Sequence, residues 1–209
     1  MKRVLQISGL ICVLFCFSCS TTVDSEQELL QWLNKKDQGF VKKTKANGFV
    51  MTMKYLPPEY LAINEMGKDE ENGRQSIEEY LKEFKNSRTF LLTIQHDDEN
   101  VDAGTYGVRN LQEYNQRIQA LSFGLKQAIQ LKTDSGKKYE PVLTTMENLY
   151  EIGNKKSIYI VFSGEHQEIF TSEKLDIVFQ DTYLDTGISH FVFQKKNIDQ
   201  LPTLTFLNK

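Results

Sequence analysis

The clearest structural signal in the chain is the stretch FVKKTKANGFVMTMKYL, which occupies residues 40–56. Asn47-Gly48 at its centre is the strongest short-range hairpin signal, because this pair readily adopts the positive φ angles of a tight β-turn. Apolar side chains recur at every second position after the turn: Phe49, Met51, Met53 and Tyr55. A period of two places them on one side of a strand. The sequence therefore predicts antiparallel strands over 40–45 and 49–56 with one strongly buried face.

Helices are predicted on both sides of this hairpin. Ser25-Glu26-Gln27-Glu28 and Ser76-Ile77-Glu78-Glu79 match the capping box, in which serine and glutamate side chains satisfy free N–H groups at a helix start. The first box leads into apolar residues at helical spacing, which makes Trp32 a predicted core residue. Pro57-Pro58 ends the second strand, because proline donates no ladder hydrogen bond, and it begins a short helix through Glu65.

A further helix is predicted where Asn110 and Glu113 precede another apolar stripe. The residues of that stripe are Leu111, Tyr114, Ile118 and Leu121. Their spacing of three and four residues is typical of one buried helical face.

The pattern changes from Leu125 onward, where short alternating runs separated by turn residues replace helical spacing. The predicted strands there are 125–132, 141–149, 157–163, 174–180 and 189–194, and an earlier one covers 89–95. These elements indicate an α+β fold: mostly an antiparallel sheet or sandwich with three to four inserted short helices and a β-rich C-terminal half. Residues 25–209 are predicted to form a single globular domain.

The N-terminus has the pattern of a secretory signal peptide. Lys2 and Arg3 precede the largely apolar run 4–17, which is followed by Ser18-Cys19-Ser20. A helix over that run would reach about 21 Å, short of the roughly 30 Å hydrocarbon core of a bilayer. The sequence therefore favours a cleaved signal peptide over a permanent membrane-spanning helix.

Cys16-Phe17-Ser18-Cys19 resembles the lipobox of bacterial lipoproteins, with Cys16 and Phe17 where that pattern prefers leucine and a small residue. The resemblance implies that residues 1–18 are a lipoprotein signal peptide and that 19–24 form a short tether. Cys19 would then begin the mature chain and carry acyl chains such as palmitate. The segment 54–61 also resembles uncharacterised bacterial lipoproteins, a resemblance that implies no activity.

The same resemblance implies attachment to the membrane of the cell envelope through the N-terminal acyl chains. Ser20, at the position where aspartate would signal inner-membrane retention, favours the outer membrane, on either its periplasmic or its surface face. Two alternatives stay open. An ordinary secretory cut after Ser18 would leave Cys19 unlipidated, and without any cut the chain would be a membrane anchor or a cytoplasmic protein.

Few residues carry the pattern of a catalytic or cofactor site. The chain has 25 Lys+Arg, 28 Asp+Glu and a formal net charge of −3, which argues against nucleic acid as a partner. It lacks the glycine motifs of phosphate and dinucleotide sites and the serine elbow of hydrolases, so no cofactor and no catalytic residue are predicted. Ser163 and His166 are interpreted as a strand-end serine and an exposed loop histidine. His96, His166 and His190 are isolated, so no metal site is predicted.

Charged clusters are interpreted as solvent-facing. The segment 96–107 is rich in carboxylates but lacks the ligand order of a calcium loop. The five lysine pairs lie near turns and strand ends, where charge protects sheet edges: Lys35-Lys36, Lys42-Lys43, Lys137-Lys138, Lys155-Lys156 and Lys195-Lys196. The sequence thus favours a non-enzymatic envelope lipoprotein that binds an envelope protein or a glycan, or assists assembly. The alternative is a small secreted hydrolase whose carboxylates come from the charged loops 67–74 and 96–107.

Overall fold

The structure, a computed structural model, describes residues 22–68, 76–147, 154–181 and 183–205. Its strands are β1 (Thr22–Val23), β2 (Val41–Ala46), β3 (Phe49–Leu56), β4 (Ser87–His96), β5 (Ile129–Thr133), β6 (Lys138–Tyr139), β7 (Leu143–Met146), β8 (Lys155–Ser163), β9 (Lys174–Asp181), β10 (Gly187–Gln194) and β11 (Thr203–Leu204). Its α-helices are α1 (Glu26–Asn34), α2 (Pro58–Lys68), α3 (Ile77–Phe84), α4 (Leu111–Gln119), α5 (Leu125–Ala128), α6 (Glu168–Thr171) and α7 (Lys195–Ile198). A 3-10 helix covers Lys36–Gln38 and a π-helix covers Ala120–Gly124.

Two antiparallel sheets form the centre of the molecule. The five-stranded sheet has the order β2-β3-β4-β8-β7, and the four-stranded sheet has the order β10-β9-β5-β6. Their apolar faces pack on each other: the rings of Phe90 in β4 and Phe193 in β10 lie 5.1 Å apart. The short strands β1 and β11 pair separately, in parallel. The predicted α+β class, the antiparallel sandwich and the β-rich C-terminal half are confirmed.

The predicted hairpin is confirmed as β2 and β3. Asn47 and Gly48 have φ angles of 47° and 77°, as a tight hairpin turn requires. Phe49, Met51 and Met53 are fully buried, and Tyr55 is only 1% exposed. These side chains form one wall of the core between the two sheets, so local turn chemistry and period-two alternation suffice to predict this element.

Both predicted capping boxes begin helices. The Oγ of Ser25 accepts a hydrogen bond from the N–H of Glu28 at 3.2 Å, and the N–H of Ser76 donates to the Oε2 of Glu79 at 2.9 Å. Trp32 in α1 is buried and packs edge-on against Phe40 at 5.3 Å, which confirms its predicted place in the core.

Two predictions around Leu125 are wrong. The first four residues of the predicted strand 125–132 form α5, because Leu121 and Leu125 lie four residues apart and both are buried, as on a helix. Leu111, predicted on the buried face of α4, is 72% exposed. Leu111 is the first residue of α4, and the stripe is enclosed by the core only toward its end, at Leu121 and Leu125.

Several predictions fall on residues that the structure does not describe. They are the signal peptide 1–18, the acylated Cys19, residues 20 and 21 of the tether, residues 69–74 of the first charged loop, and the last two residues of the predicted strand 141–149. Within the described ranges, none of the helices is both long and apolar enough to cross a membrane.

Candidate functional site

A groove on the outer face of the five-stranded sheet combines an apolar floor with unpaired cations. We call it the basic groove. Its lining residues are Asn34, Lys36, Val41, Lys43, Thr52, Lys54, Leu91 and Thr93, and its volume is about 510 Å³. That volume falls within the roughly 300–1,000 Å³ typical of small-molecule sites.

Strand register places these side chains side by side. The β2–β3 and β3–β4 pairings align two rows across three strands: Val41, Lys54 and Leu91 in one, and Lys43, Thr52 and Thr93 in the other. Alternation along each strand points both rows away from the core. Asn34 at the end of α1 and Lys36 in the following 3-10 helix add polar groups to the lining. The groove is therefore built by the sheet itself with one helix end beside it.

Among the residues that the structure describes, the lysines of the basic groove have no carboxylate partner. The described lining includes no Asp or Glu, and the ion pairs within the described ranges include none of Lys36, Lys43 and Lys54. Burial lowers the pKa of the Lys54 ammonium, because removal from water disfavours the charged form. The Lys54 Nζ lies 5.6 Å above the ring centre of Tyr60, which stabilises the cation in part. An anion in the groove would supply the missing negative charge.

A second groove on the same face is mainly apolar, and we call it the apolar groove. It lies where α2 and α3 meet strands β4, β7 and β8, and its volume is about 370 Å³. Leu61, Phe84, Leu143 and Val161 supply its apolar lining.

Tyr159 is a partly buried polar residue of the apolar groove. Its hydroxyl donates a hydrogen bond to the Oε1 of Glu147 at 3.1 Å. Burial, followed by the nearby Glu147 carboxylate, raises the pKa of Tyr159 well above its usual value. The hydroxyl therefore stays protonated and neutral at physiological pH.

The histidines singled out in the sequence lie apart. The Nδ1 of His96 accepts a hydrogen bond from the N–H of Asp98 at 3.0 Å, and its ring packs against Phe49 and Tyr106. His166 stacks on Tyr139 with ring centres 4.7 Å apart.

His190 and Ser163 have local partners of their own. The exposed His190 lies 2.9 Å from a carboxylate oxygen of Asp176. Ser163 ends β8 and its Oγ accepts from the N–H of Glu165, so it is the predicted strand-end serine. Among the described residues, no three or more His, Cys, Asp or Glu side chains are grouped so that they could hold a metal ion.

Three of the four carboxylates of the loop after β4 are engaged in local structure. Asp97 pairs with Lys45 at 2.9 Å, and Asp98 accepts the N–H of Asn100 at 3.0 Å. Asp102 pairs at 2.9 Å with Lys156, whose side chain is only 10% exposed. Glu99 belongs to the same loop, and the remaining three acids invoked by the hydrolase alternative, residues 69–71, lie outside the described ranges.

Glu168 on α6 is a heavily hydrogen-bonded carboxylate. It accepts from the hydroxyls of Thr133, Ser135 and Tyr139, and it pairs with Lys137 at 2.9 Å. These hydrogen bonds, that of Ser135 foremost, lower the pKa of Glu168 to about 2. Since its donors come from β5, β6 and the turn between them, the cluster fastens α6 to that hairpin.

The basic groove was not predicted from the sequence, although part of its signal is visible there. Lys36 and Lys43 belong to lysine pairs interpreted as edge protection, and both line the groove. The hairpin turn alone sets Lys43 beside Thr52. The sequence was therefore sufficient to predict that the outer face of the hairpin is basic. Leu91 and Thr93 enter through the β3–β4 pairing, which no local pattern specifies.

Comparisons with known proteins assign no family. No protein family, curated protein sequence or solved structure matches this chain.

Proposed function

We propose that this protein is a lipid-anchored, non-enzymatic binding module of the bacterial cell envelope, and that its basic groove binds an anionic ligand. One observation carries the choice of ligand. Three lysines converge on one groove whose lining, over the described part of the chain, holds no carboxylate, and the acids of the chain outnumber its basic residues. In such a protein, cations without counter-charges are the natural place for an anion to bind.

The chemistry of the groove supports this assignment. Each ammonium group offers hydrogen-bond donors to an anion, and the hydroxyls of Thr52 and Thr93 add neutral donors. The half-buried Lys54 is the strongest contributor, because partial burial reduces screening of its charge by water. Val41 and Leu91 form the apolar part of the lining, against which the non-polar part of a ligand can pack.

The N-terminal residues support the anchor. Cys19 follows a short apolar run and a loose lipobox, and Ser20 favours the outer membrane by resemblance to lipoprotein sorting. One acyl chain binds a membrane only reversibly, whereas two or more hold a protein durably. The acyl chains must supply the attachment, because the negative net charge gives no attraction to an anionic membrane surface.

Mass spectrometry of the mature N-terminal peptide, isolated from membranes, tests the anchor. We expect a peptide that begins at Cys19 and carries the mass of the acyl groups. Cys19→Ala should abolish both the added mass and the cut, whereas Cys12→Ala, within the apolar run, should leave both unchanged. A mature peptide that begins elsewhere, or at an unmodified Cys19, would contradict the anchored form of the proposal.

An NMR titration with inorganic phosphate tests the groove, using the full chain in neutral detergent. We expect saturable shifts of the backbone amides of Val41, Thr52 and Leu91. The double variant Lys43→Gln/Lys54→Gln should weaken binding by about fivefold or more, since it removes two of three cations. Lys132→Gln, an exposed lysine on the other sheet, is the matched control. Shifts that do not saturate, or that respond equally to the control variant, would refute anion binding at this groove.

A further inference from the structure

We infer that the ligand of this face is a single-chain anionic amphiphile, with its head on the lysines of the basic groove and its alkyl chain in the apolar groove. The inference rests on the proposed function and deepens it by naming the ligand class. It follows from how the two grooves are arranged.

The two grooves adjoin on one face of the sheet. Leu91 lines the basic groove and Tyr159 lines the apolar groove, and the β4–β8 register sets these two residues directly opposite each other. Lys54 stands on the other side of Leu91 in the same row. Lys54 and Tyr159 are therefore two strands apart, about 10 Å. A single small molecule can span that distance.

Helix α2 borders both grooves. Its Tyr60 places an aromatic ring 5.6 Å from the Lys54 Nζ, and its Leu61 lines the apolar groove one residue later. A ligand that extends from Leu91 in β4 to Tyr159 in β8 would therefore lie beside helix α2 along its length. The face thus changes from cationic to apolar over a short distance along a single surface.

Charge and lining decide the orientation of the ligand. The three lysines of the basic groove lack carboxylate partners among the residues that the structure describes, so an anionic head gains most there. The apolar groove takes its apolar lining from Leu61, Phe84, Leu143 and Val161, with the neutral Tyr159 beside them. Glu65 also lines it, so a negatively charged head is disfavoured there. Burial of each methylene group in such a lining is favourable, so a longer alkyl chain binds more tightly. An acid with one alkyl chain satisfies both grooves, whereas a small anion or a neutral alcohol satisfies only one.

Photolabelling of the full chain in isolated membranes tests this assignment. The probe is a decanoic acid that carries a diazirine on its chain, compared with the corresponding diazirine decanol, and attachment sites are mapped by peptide mass spectrometry. We expect the acid to label peptides containing Leu143 or Tyr159 about fivefold more than those containing the exposed Leu111 or Phe123. Unlabelled decanoate should compete, and acetate should not.

Variants with matched controls separate the two halves of the site. Lys54→Gln should reduce labelling by the acid to the level of the alcohol, whereas Lys132→Gln should not. Leu143→Asp should abolish labelling of the apolar groove. Its neighbour Val142→Asp should leave labelling unchanged, because Val142 is similarly exposed, at 54% against 50%, and lies outside the groove lining.

Two outcomes would overturn the amphiphile, and both differ from failure of the proposed function. Equal labelling by acid and alcohol would mean that the lysines do not recognise the head. Labelling spread evenly over Leu111 and Phe123 would mean that the chain has no defined site. In either case saturable phosphate binding would still support anion binding at the basic groove, and its loss would refute both proposals.

Discussion

Leu91 and Leu92 are adjacent in β4 and face opposite sides of the same sheet. Leu92 is fully buried against the four-stranded sheet, whereas Leu91 is half-buried in the basic groove. Alternation along the strand separates their environments completely. The pair shows that residue type alone does not distinguish a core position from a binding position, because the distinction depends on what covers each face.

Lysines on the two faces differ in the same way. Lys156 lies on the inner face of β8 together with the buried Ile158 and Ile160. Its ammonium group pairs there with the Asp102 carboxylate at 2.9 Å. Lys43 and Lys54 on the outer face have no ion-pair partner within the described ranges. A buried charge requires a partner because its removal from water is costly. The paired lysine therefore supports the fold, and the unpaired lysines remain open to a ligand.

The largest expected effect comes from Lys156→Met. This change leaves the Asp102 carboxylate partly buried without its cation, which should lower the free energy of unfolding by about 4 kcal/mol. Urea denaturation, followed by the fluorescence of the buried Trp32, measures the loss. Lys43→Met on the outer face should change stability by less than about 0.5 kcal/mol. Equal effects of the two variants would invalidate the contrast between paired and unpaired lysines.

The adjacent leucines give the next largest contrast. Leu92→Ala should lower the free energy of unfolding by about 3 kcal/mol, because it leaves a cavity between the sheets. Leu91→Ala should cost less than about 1 kcal/mol, since its side chain is already half in solvent, and it should weaken ligand binding instead. The same urea titration, combined with photolabelling by the diazirine decanoic acid, checks both. A Leu91→Ala variant as unstable as Leu92→Ala would mean that the outer face is part of the core.

Glu168 provides a pH-dependent test of a fully partnered charge. Its hydrogen bonds, first that of Ser135, lower its pKa in the folded state to about 2, below its ordinary value of 4.5. Its stabilising contribution is therefore complete above about pH 4.5 and is lost as the pH falls toward 2. Urea denaturation at pH 7, 5, 3 and 2 should show that the difference in stability between the native chain and Glu168→Gln shrinks over this interval. A difference in stability that stays constant with pH would contradict the lowered pKa of Glu168.

The smallest expected effect is a shift of the Lys54 pKa on ligand binding. Burial lowers this pKa in the free protein, and a bound anion favours the charged form, so saturating phosphate should raise it toward its usual value. NMR titration of the lysine side-chain signals measures the shift, with Lys132 as the internal control. A Lys54 pKa that phosphate leaves unchanged would place the anion elsewhere on the protein.

Part of the fold and little of the site could be predicted from the sequence. Asn47-Gly48 and the alternation after it predict β2 and β3, since both signals act within a few residues. Leu125 shows the limit of such signals. Alternation over 125–132 predicts a strand, but Leu121 and Leu125 are four residues apart, as on a helix. The structure continues from the π-helix into α5, which ends at Ala128.

The basic groove shows the same division between local and distant information. Lys43 and Thr52 are brought together by the turn that Asn47-Gly48 predicts, so this half of the groove follows from local chemistry. Leu91, Thr93 and the adjoining Tyr159 arrive through pairings of β3 with β4 and of β4 with β8. Such distant pairings are selected by burial of complementary faces and by register, which a single local pattern does not encode.

The sequence by itself determined the helix starts, the hairpin, the buried side of β3 and the resemblance of the N-terminus to a lipoprotein signal. These depend on hydrogen bonds, φ angles and side-chain alternation among near neighbours in the chain. Only the tertiary structure decided which lysines keep a counter-charge, which leucine is core, and that a cationic and an apolar groove adjoin. The reason is physical: burial and charge pairing are properties of surfaces brought together by packing, so they exist only once distant strands have met.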